Sequence, residues 1–250
     1  MSIKIKIIFL FFFITFSCNE ELTNVLSFEN FSEEFQGNCK GDNCAKVTID
    51  YCKIIGEKEV TDKINFTVGN AIIYSLKSNF DKNVKANTIT EAANNFLKSY
   101  ESDKKEFPEL SPYIAELSIS TSYSSPLILC LKTDFYSFTG GAHGNGRTKF
   151  LNFDPLTGNL KSTSSILNNK KEFIDFVEKA FRNEKGIPLN DPINSTGYWF
   201  ENEKFYLPES IGMSKTEVII IYNQYEIASY ADGPIELRIP MDEAKPYLNL

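Results

Sequence analysis

The sequence is short of several residue types that commonly mark function. It holds one histidine, His143, and one tryptophan among 250 residues. No G-x-S-x-G elbow surrounds a serine, and no glycine-rich stretch ends in G-K-[ST]. The sequence therefore favours neither a serine hydrolase nor a phosphate-binding loop, and we predict no cofactor and no metal site.

Basic residues are also in the minority. The chain has 26 Lys and Arg against 33 Asp and Glu, a formal net charge of −7. A protein without a basic stripe repels phosphate backbones. Nucleic acid is excluded as a partner on this ground.

Long hydrophobic runs are missing, since the only extended one covers residues 7–17. A membrane span needs about 20 apolar residues, whereas a shorter run behind Lys4 and Lys6 is typical of an export signal. The run ends at Cys18, and this leader resembles a bacterial lipoprotein signal, with acidic residues after the cysteine as in Bacteroidetes lipoproteins. We expect residues 1–17 to be removed and lipid on Cys18 to hold an exported protein at a membrane of the cell envelope. The alternative is an ordinary signal peptide cut nearby.

Four further cysteines follow. In an exported chain Cys39 and Cys44, separated by the turn-forming sequence KGDN, are disulfide candidates. A zinc site there is the weaker alternative. Cys52 and Cys130 lie in strand-like runs, where they either pair across strands or remain buried thiols.

The remaining pattern predicts an α+β fold, in which an N-terminal helical portion packs on an antiparallel sheet and a further helix and C-terminal strands follow. Residues 18–41 are polar and read as a flexible tether. We expect an N-terminal α+β portion over 42–125 and a C-terminal portion over 126–250. Strands are predicted at 45–54, 113–123, 127–138, 148–154, 199–207, 218–223 and 235–240, and helices at 60–80, from Thr88, at 170–185 and at 242–250.

The glycine-rich stretch GGAHGNG, residues 140–146, is the first candidate contact surface. Its glycines allow positive φ and close backbone approach in a connection between strands. His143 in such a turn either hydrogen-bonds locally or takes part in binding. Loops on rigid scaffolds carry function more often than cores do, so Gly140, Gly141, Ala142 and His143 are ligand-binding candidates.

The second candidate is the tyrosine-rich stretch from residue 222 to residue 234. Tyr222, Tyr225 and Tyr230 stand beside a D-G-P turn between two predicted strands. Tyrosines in this setting either bind a sugar ring or a protein partner, or close the edge of a core.

Two ordered motifs carry a family resemblance. They are FYSFTGGAHGNGRTKFLNFDPLTG at 135–158 and YNQYEIASYADGPIELRIP at 222–240. The chain resembles the paired domains of RsiV-type anti-sigma factors and PdaC-type peptidoglycan deacetylases from about residue 45 onward. The resemblance implies an α+β extracytoplasmic recognition domain associated with the cell wall. It does not imply the sigma-factor circuit or the separate deacetylase domain, whose parts this sequence lacks.

These expectations converge on a non-enzymatic envelope protein that recognises a lysozyme-like protein or peptidoglycan glycan. Two alternatives stay open. One is a cell-wall hydrolase or amidase that uses His143, and the other is an envelope scaffold without a soluble ligand.

Overall fold

Alternating apolar and polar residues build the central sheet of this computed structural model, which describes residues 26–38, 44–77 and 85–250. The leader, Cys18 and Cys39 lie outside the described residues. Within these ranges nine strands form two sheets; they are β1 (Ser27–Gln36), β2 (Lys46–Ile55), β3 (Ile114–Ser124), β4 (Leu129–Phe138), β5 (Asn145–Phe153), β6 (Leu160–Lys161), β7 (Ile211–Met213), β8 (Glu217–Tyr222) and β9 (Ile235–Pro240).

Five α-helices accompany them in the described residues: α1 (Lys58–Leu76), α2 (Ile89–Glu106), α3 (Thr163–Ile166), α4 (Lys170–Lys185) and α5 (Met241–Ala244). Local signals set their ends. Thr88 accepts the backbone N–H of Glu91 at the start of α2, and Gly186 ends α4 with φ of 67°. No helix in the described parts of the chain is long and apolar enough to cross a membrane.

The six-stranded sheet has the order β1-β2-β3-β4-β5-β6, and β7-β8-β9 form a second, antiparallel sheet. All neighbours in the large sheet are antiparallel except β2 and β3, which run parallel. Two parallel neighbours need a crossover connection, and α1 and α2 supply it. The sheet is therefore mixed, not purely antiparallel as predicted.

Two hydrophobic cores lie on opposite sides of the large sheet. One core joins α1 and α2 to inward residues of β2–β5, such as Ile49, Leu117 and Leu131. The other joins α4 and the small sheet to Cys130 and Phe150 on the opposite face. The large sheet is thus shared by both layers, and it runs without interruption across the predicted portion boundary at residues 125 and 126.

The N-terminal order differs from the prediction. The chain is α+β, but strands β1 and β2 precede the helices. Within the predicted tether, Ser27–Gln36 forms β1 and pairs along its whole length with β2. The expectation of a tether is wrong for these residues, because Phe31 stacks on Tyr51 at 5.5 Å and Glu33 accepts a hydrogen bond from the Tyr51 hydroxyl at 2.9 Å.

The C-terminal part also departs from the prediction. The strand expected at 199–207 is absent: a 3₁₀ turn at Glu201–Glu203 occupies this range. The aromatic side chains that suggested a strand, Phe200 and Phe205, instead pack into the second core from irregular backbone. The helix expected at 242–250 is reduced to α5 and a 3₁₀ turn at Lys245–Tyr247.

Candidate functional site

The glycine-rich loop connects β4 to β5, and its glycines are required where backbone meets side chains. Gly140 has φ of 81°, and a Cβ there would lie 2.4 Å from a methyl carbon of Leu110. A Cβ on Gly144 would lie 2.3 Å from the ring of Tyr136. The loop therefore folds tightly over these two residues and presents His143 at its exposed tip.

The tyrosine-rich segment, residues 223–234, connects β8 to β9 and is held against β5 by one side chain. The Asn223 carboxamide accepts the backbone N–H of Thr148 at 2.7 Å and donates to its carbonyl oxygen at 3.1 Å. An asparagine amide has the same donor and acceptor as a peptide group, so Asn223 continues the hydrogen bonding of the free edge of β5. This contact places the segment beside the loop.

Glu226 fixes the turn that follows Asn223. Its half-buried carboxylate accepts the backbone N–H of Asn223 at 2.9 Å. Burial raises the pKa of this carboxyl above its usual range, and the Asn223 hydrogen bond opposes that rise in part. The turn places Tyr225 at φ of 66° with 58 % of its surface exposed.

The two segments meet in an aromatic cluster, defined here as His143, Tyr225 and Tyr230. The His143 ring stacks on Tyr230 with centroids 3.8 Å apart, and its Nε2 lies 3.4 Å from the Tyr225 hydroxyl. His143 Nδ1 lies 2.9 Å from the Gly144 carbonyl oxygen. A carbonyl only accepts, so Nδ1 carries a proton, and in the neutral ring Nε2 is then the acceptor for Tyr225. The Tyr230 hydroxyl donates to the same carbonyl at 2.9 Å.

A groove of about 630 Å³ opens beside this cluster on the polar face of the large sheet. Its floor consists of two rows of residues in register across four strands. One row is Asp50, Ser118, Asp134 and Thr148; the other is Thr48, Glu116, Tyr136 and Gly146. Asn223, Gln224 and Pro234 of the tyrosine-rich segment form one wall.

The groove floor is only partly paired internally. Thr148 donates to Asp134 at 2.6 Å, and Lys132 forms an ion pair with Asp134 at 2.8 Å. Asp50 and Glu116 are exposed and form no hydrogen bond or ion pair with the described residues. Both residues line the groove, so their carboxylates are available to a ligand.

His143 has no catalytic partner in the described ranges. A histidine that activates a nucleophile needs a hydroxyl or thiol on one nitrogen and an orienting acid on the other. Here the partners within residues 26–38, 44–77 and 85–250 are a backbone carbonyl and a phenol. The same ranges contain no group of three or more His, Cys, Asp or Glu residues placed to hold a metal ion.

The structure brings most of the predicted site residues together. His143 lies beside Tyr225 and Tyr230, although 82 residues separate His143 from Tyr225. Gly140, Gly141 and Ala142 precede His143 in the same loop, and Gly140 faces Leu110 instead of the tyrosines. Tyr222 is the exception. It is 0 % exposed and donates to the Tyr206 carbonyl at 2.5 Å inside the second core, so it is not a contact residue.

Sequence reasoning missed the floor of the groove. Its side chains are the outward-facing members of strands whose inward members were used to predict the sheet. Alternation assigns them to one face, but their convergence depends on the register between β2, β3, β4 and β5. That register is not visible in any single segment.

The sequence DPLTG, residues 154–158 at the end of the first motif, forms a turn. Asp154 accepts the backbone N–H groups of Leu156 and Thr157 in the turn between β5 and β6. Gly158 has φ of 71°, and a Cβ there would lie 2.4 Å from the Val60 carbonyl oxygen. The turn thus packs closely against the first turn of α1, away from the aromatic cluster.

Three cysteines, Cys44, Cys52 and Cys130, lie among the described residues. Cys52 and Cys130 are buried free thiols in the two separate cores, and burial raises the pKa of each. They do not pair with each other. Cys44 is buried, but because Cys39 lies outside the described residues the Cys39–Cys44 disulfide stays a prediction.

Comparisons with known proteins agree with this architecture. The family model described as "Deacetylase PdaC" matches residues 38–146, and the model described as "Protein of unknown function (DUF3298)" matches residues 163–242. The glycine-rich loop lies in the first match, and the tyrosine-rich segment lies in the second. No curated protein gave a significant match.

Solved structures share the fold. A DUF3298 family member from Bacteroides fragilis superposes with a TM-score of 0.71 at 20 % identity, covering 91 % of this chain and 95 % of its own. A DUF3298 family protein from Pseudomonas aeruginosa gives a TM-score of 0.68 at 19 % identity, with 91 % and 96 % coverage. The chain therefore joins a region that matches the PdaC model to a region that matches the DUF3298 model, as a paired-domain protein of this type does.

Proposed function

We propose that this chain is a lipid-anchored envelope protein without enzymatic activity, whose folded part recognises a cell-wall-related ligand. The candidate ligands are peptidoglycan glycan and a lysozyme-like protein. Lipid on Cys18 would hold the chain at the membrane, while the paired domains extend from it.

One observation supports recognition above the alternatives. Two motifs from different family matches converge on one exposed aromatic cluster at the mouth of a groove. A loop that only connected two strands would need the glycines, but it would not need exposed Tyr225 in a left-handed conformation.

The physical role of the cluster follows from its exposure. A tyrosine offers a flat apolar ring and a hydroxyl at low entropic cost, which suits contact with a sugar ring or a protein side chain. Because His143 and Tyr230 are already stacked and hydrogen-bonded, little order is lost when a ligand settles on them. The cluster is preorganised for binding.

The test is binding of the mature protein, prepared under conditions that allow the predicted Cys39–Cys44 disulfide to form, to purified sacculi and to lysozyme. Tyr225→Ala should weaken capture of the true ligand about tenfold, a loss typical of a central aromatic contact. Tyr74→Ala is the matched control, because Tyr74 is 69 % exposed on α1 in the layer opposite the groove. Failure of the wild-type protein to bind either ligand would contradict the proposal.

Anchoring is tested separately. Cys18→Ala should move the protein from the membrane pellet to the soluble fraction of cells and abolish incorporation of labelled fatty acid. An unchanged membrane fraction would refute the lipid anchor and leave the recognition half of the proposal in place.

A further inference from the structure

The groove beside the aromatic cluster has its own chemistry, which points to a class of ligand. We propose that it binds a saccharide chain lying across strands β2–β5, and that it accepts neutral or amine-bearing sugars and rejects anionic ones. The inference rests on the proposed function and names the ligand class and the residues that select it.

The size and openness of the groove suit several linked sugar rings. Its volume of about 630 Å³ falls in the range of about 300–1,000 Å³ that holds small organic ligands. Because the floor extends across four strands, the groove is elongated perpendicular to them, with about 4.8 Å between neighbouring strands. An extended chain of rings matches this shape better than one compact ligand does.

The floor offers repeated hydrogen-bonding groups. Asp50, Ser118, Asp134 and Thr148 stand side by side in register, one from each strand. A carboxylate accepts two hydrogen bonds at once and a hydroxyl both donates and accepts, as the neighbouring hydroxyls of a sugar require. Asp50 and Glu116 have these capacities unused within the described residues.

Aromatic rings bound the groove at the end near the loop. Tyr136 lies on the floor and is 40 % exposed, and Gly144 packs against its ring. The aromatic cluster continues this surface, since the Tyr230 hydroxyl holds the Gly144 carbonyl. The C–H face of a sugar ring packs on such rings, so stacking at one end and hydrogen bonding along the floor are combined in one site.

Charge decides which saccharides fit. Three carboxylates line the groove, those of Asp50, Glu116 and Asp134, and the single cation among the lining residues is Arg147. Lys132 forms an ion pair with Asp134, so the unpaired negative charge in the groove is that of Asp50 and Glu116. Their field repels a uronic acid or sulfated sugar and attracts an amine. Salt screens this selection, because Asp50 and Glu116 are exposed.

The experiment is calorimetric titration of the mature protein with three tetrasaccharides. The first is built from N-acetylglucosamine and is neutral, the second from glucosamine and is cationic, and the third from galacturonic acid and is anionic. We expect saturable binding of the first two and at least about tenfold weaker binding of the third at low salt, with the gap narrowing as salt rises. Absence of saturable binding by the first two, or preference for the anionic chain, would overturn the inference.

Variants locate the site. Ser118→Tyr places a ring in the middle of the groove and should weaken binding about tenfold or more. Ser120→Tyr is the control, because Ser120 is exposed two residues along the same face of β3 but does not line the groove. Glu116→Gln should reduce the preference against the anionic chain without disturbing the fold, since Glu116 is exposed and has no described partner. Equal affinity of both tyrosine variants and wild type would refute the groove as the site.

The two proposals fail in different ways. If sacculi or lysozyme bind through Tyr225 but the saccharides do not bind, or Ser118→Tyr has no effect on their binding, the groove inference is wrong and the recognition proposal stands. If neither envelope ligand is captured, the proposed function fails, and the titrations still decide on saccharide binding. Direct binding of a lysine-rich peptide that Ser118→Tyr abolishes, with no binding of any saccharide, would point to a protein ligand and overturn the inference.

Discussion

At the scale of single residues, the site depends on a few side chains that replace regular secondary structure. Asn223 supplies the peptide-like hydrogen bonds that β5 lacks on its free edge, and Glu226 orients Asn223. Gly144 leaves room for the end of the Tyr136 ring, which a Cβ at this position would meet at 2.3 Å. The aromatic cluster therefore rests on residues that do not themselves face the ligand.

The raised pKa of Glu226 predicts how the free energy of unfolding depends on pH. Because burial raises its folded-state pKa, the stability that it contributes is fully present below its unfolded pKa of about 4.3 and is lost as pH rises through the raised value. Glu226→Gln keeps an oxygen that accepts the Asn223 N–H and removes the buried charge. We expect its free energy of unfolding in urea to exceed that of wild type at pH 7 and to match it at pH 4.

A second variant separates the charge from the hydrogen bond. Glu226→Ala leaves the Asn223 N–H without its acceptor and should be less stable than Glu226→Gln at both pH values. A Glu226→Gln protein that is less stable than wild type at pH 7 would show that the carboxylate is favourable in the fold.

At the scale of elements, local signals were predicted well and pairing was not. The Thr88 cap, the Gly186 stop and β9 at Ile235–Pro240 lie where the sequence places them, because each depends on a few neighbouring residues. β1 was missed since its phenylalanines, Phe28, Phe31 and Phe35, do not alternate with period two. Only the ladder with β2 defines this strand.

β1 provides a direct test of that correction. Its amides that face β2 should exchange slowly with solvent, which a tether would not allow. Phe31→Ser removes the ring stacked on Tyr51 and should cost about 1 kcal/mol and speed this exchange. Phe28→Ser is the control, because Phe28 is 38 % exposed and has no ring partner in the described residues.

As with the fold, the parts of the candidate site that depend on neighbouring residues could be predicted, and the parts that depend on strand pairing could not. Both motifs could be found in the sequence, because glycines and tyrosines stand in short ordered strings. The groove could not be found in the sequence, because Asp50, Glu116 and Asp134 come from strands whose order and register depend on pairing between distant segments. Tyr222 is a contact candidate in the sequence, with the edge of a core as its alternative, because one-dimensional spacing does not separate the last residue of a buried strand from the first residue of a loop.

At the scale of the whole molecule, the two layers are coupled through the large sheet. The buried Asn152 side chain on β5 donates to the Ile211 carbonyl of β7 at 2.9 Å. Gly212 lies over Phe150, and a Cβ there would come within 2.1 Å of its ring. No space separates the sheets at this point, so we expect the two cores to unfold together.

Gly212→Ala tests the coupling. The added methyl group should cost about 1–3 kcal/mol by overpacking and shift the whole urea transition. Fluorescence of Trp199, the single tryptophan, reports unfolding of the part of the chain around α4 and the small sheet. Far-ultraviolet circular dichroism reports the loss of secondary structure on both sides of the large sheet. Coincident transitions are expected, and separate midpoints would refute the coupling.

Gly69→Ala is the contrasting control. Gly69 lies inside α1, and a Cβ there has no atom within 4 Å. Alanine at an open helical position should stabilise the protein by about 0.5–1 kcal/mol. The two glycine variants should therefore move the transition in opposite directions.

The single parallel pair in the large sheet has a consequence for how the chain acquires its shape. β1 and β2 are neighbours in sequence and can pair early. The other edge of β2 stays unpaired until both intervening helices have been synthesised and β3 can pair with it. Contacts between distant segments form slowly, and an unpaired strand edge recruits other chains while it is open. Synthesis at high concentration should therefore produce aggregates through the β1–β2 ribbon, and holding chaperones should raise the yield most when they act before β3 emerges.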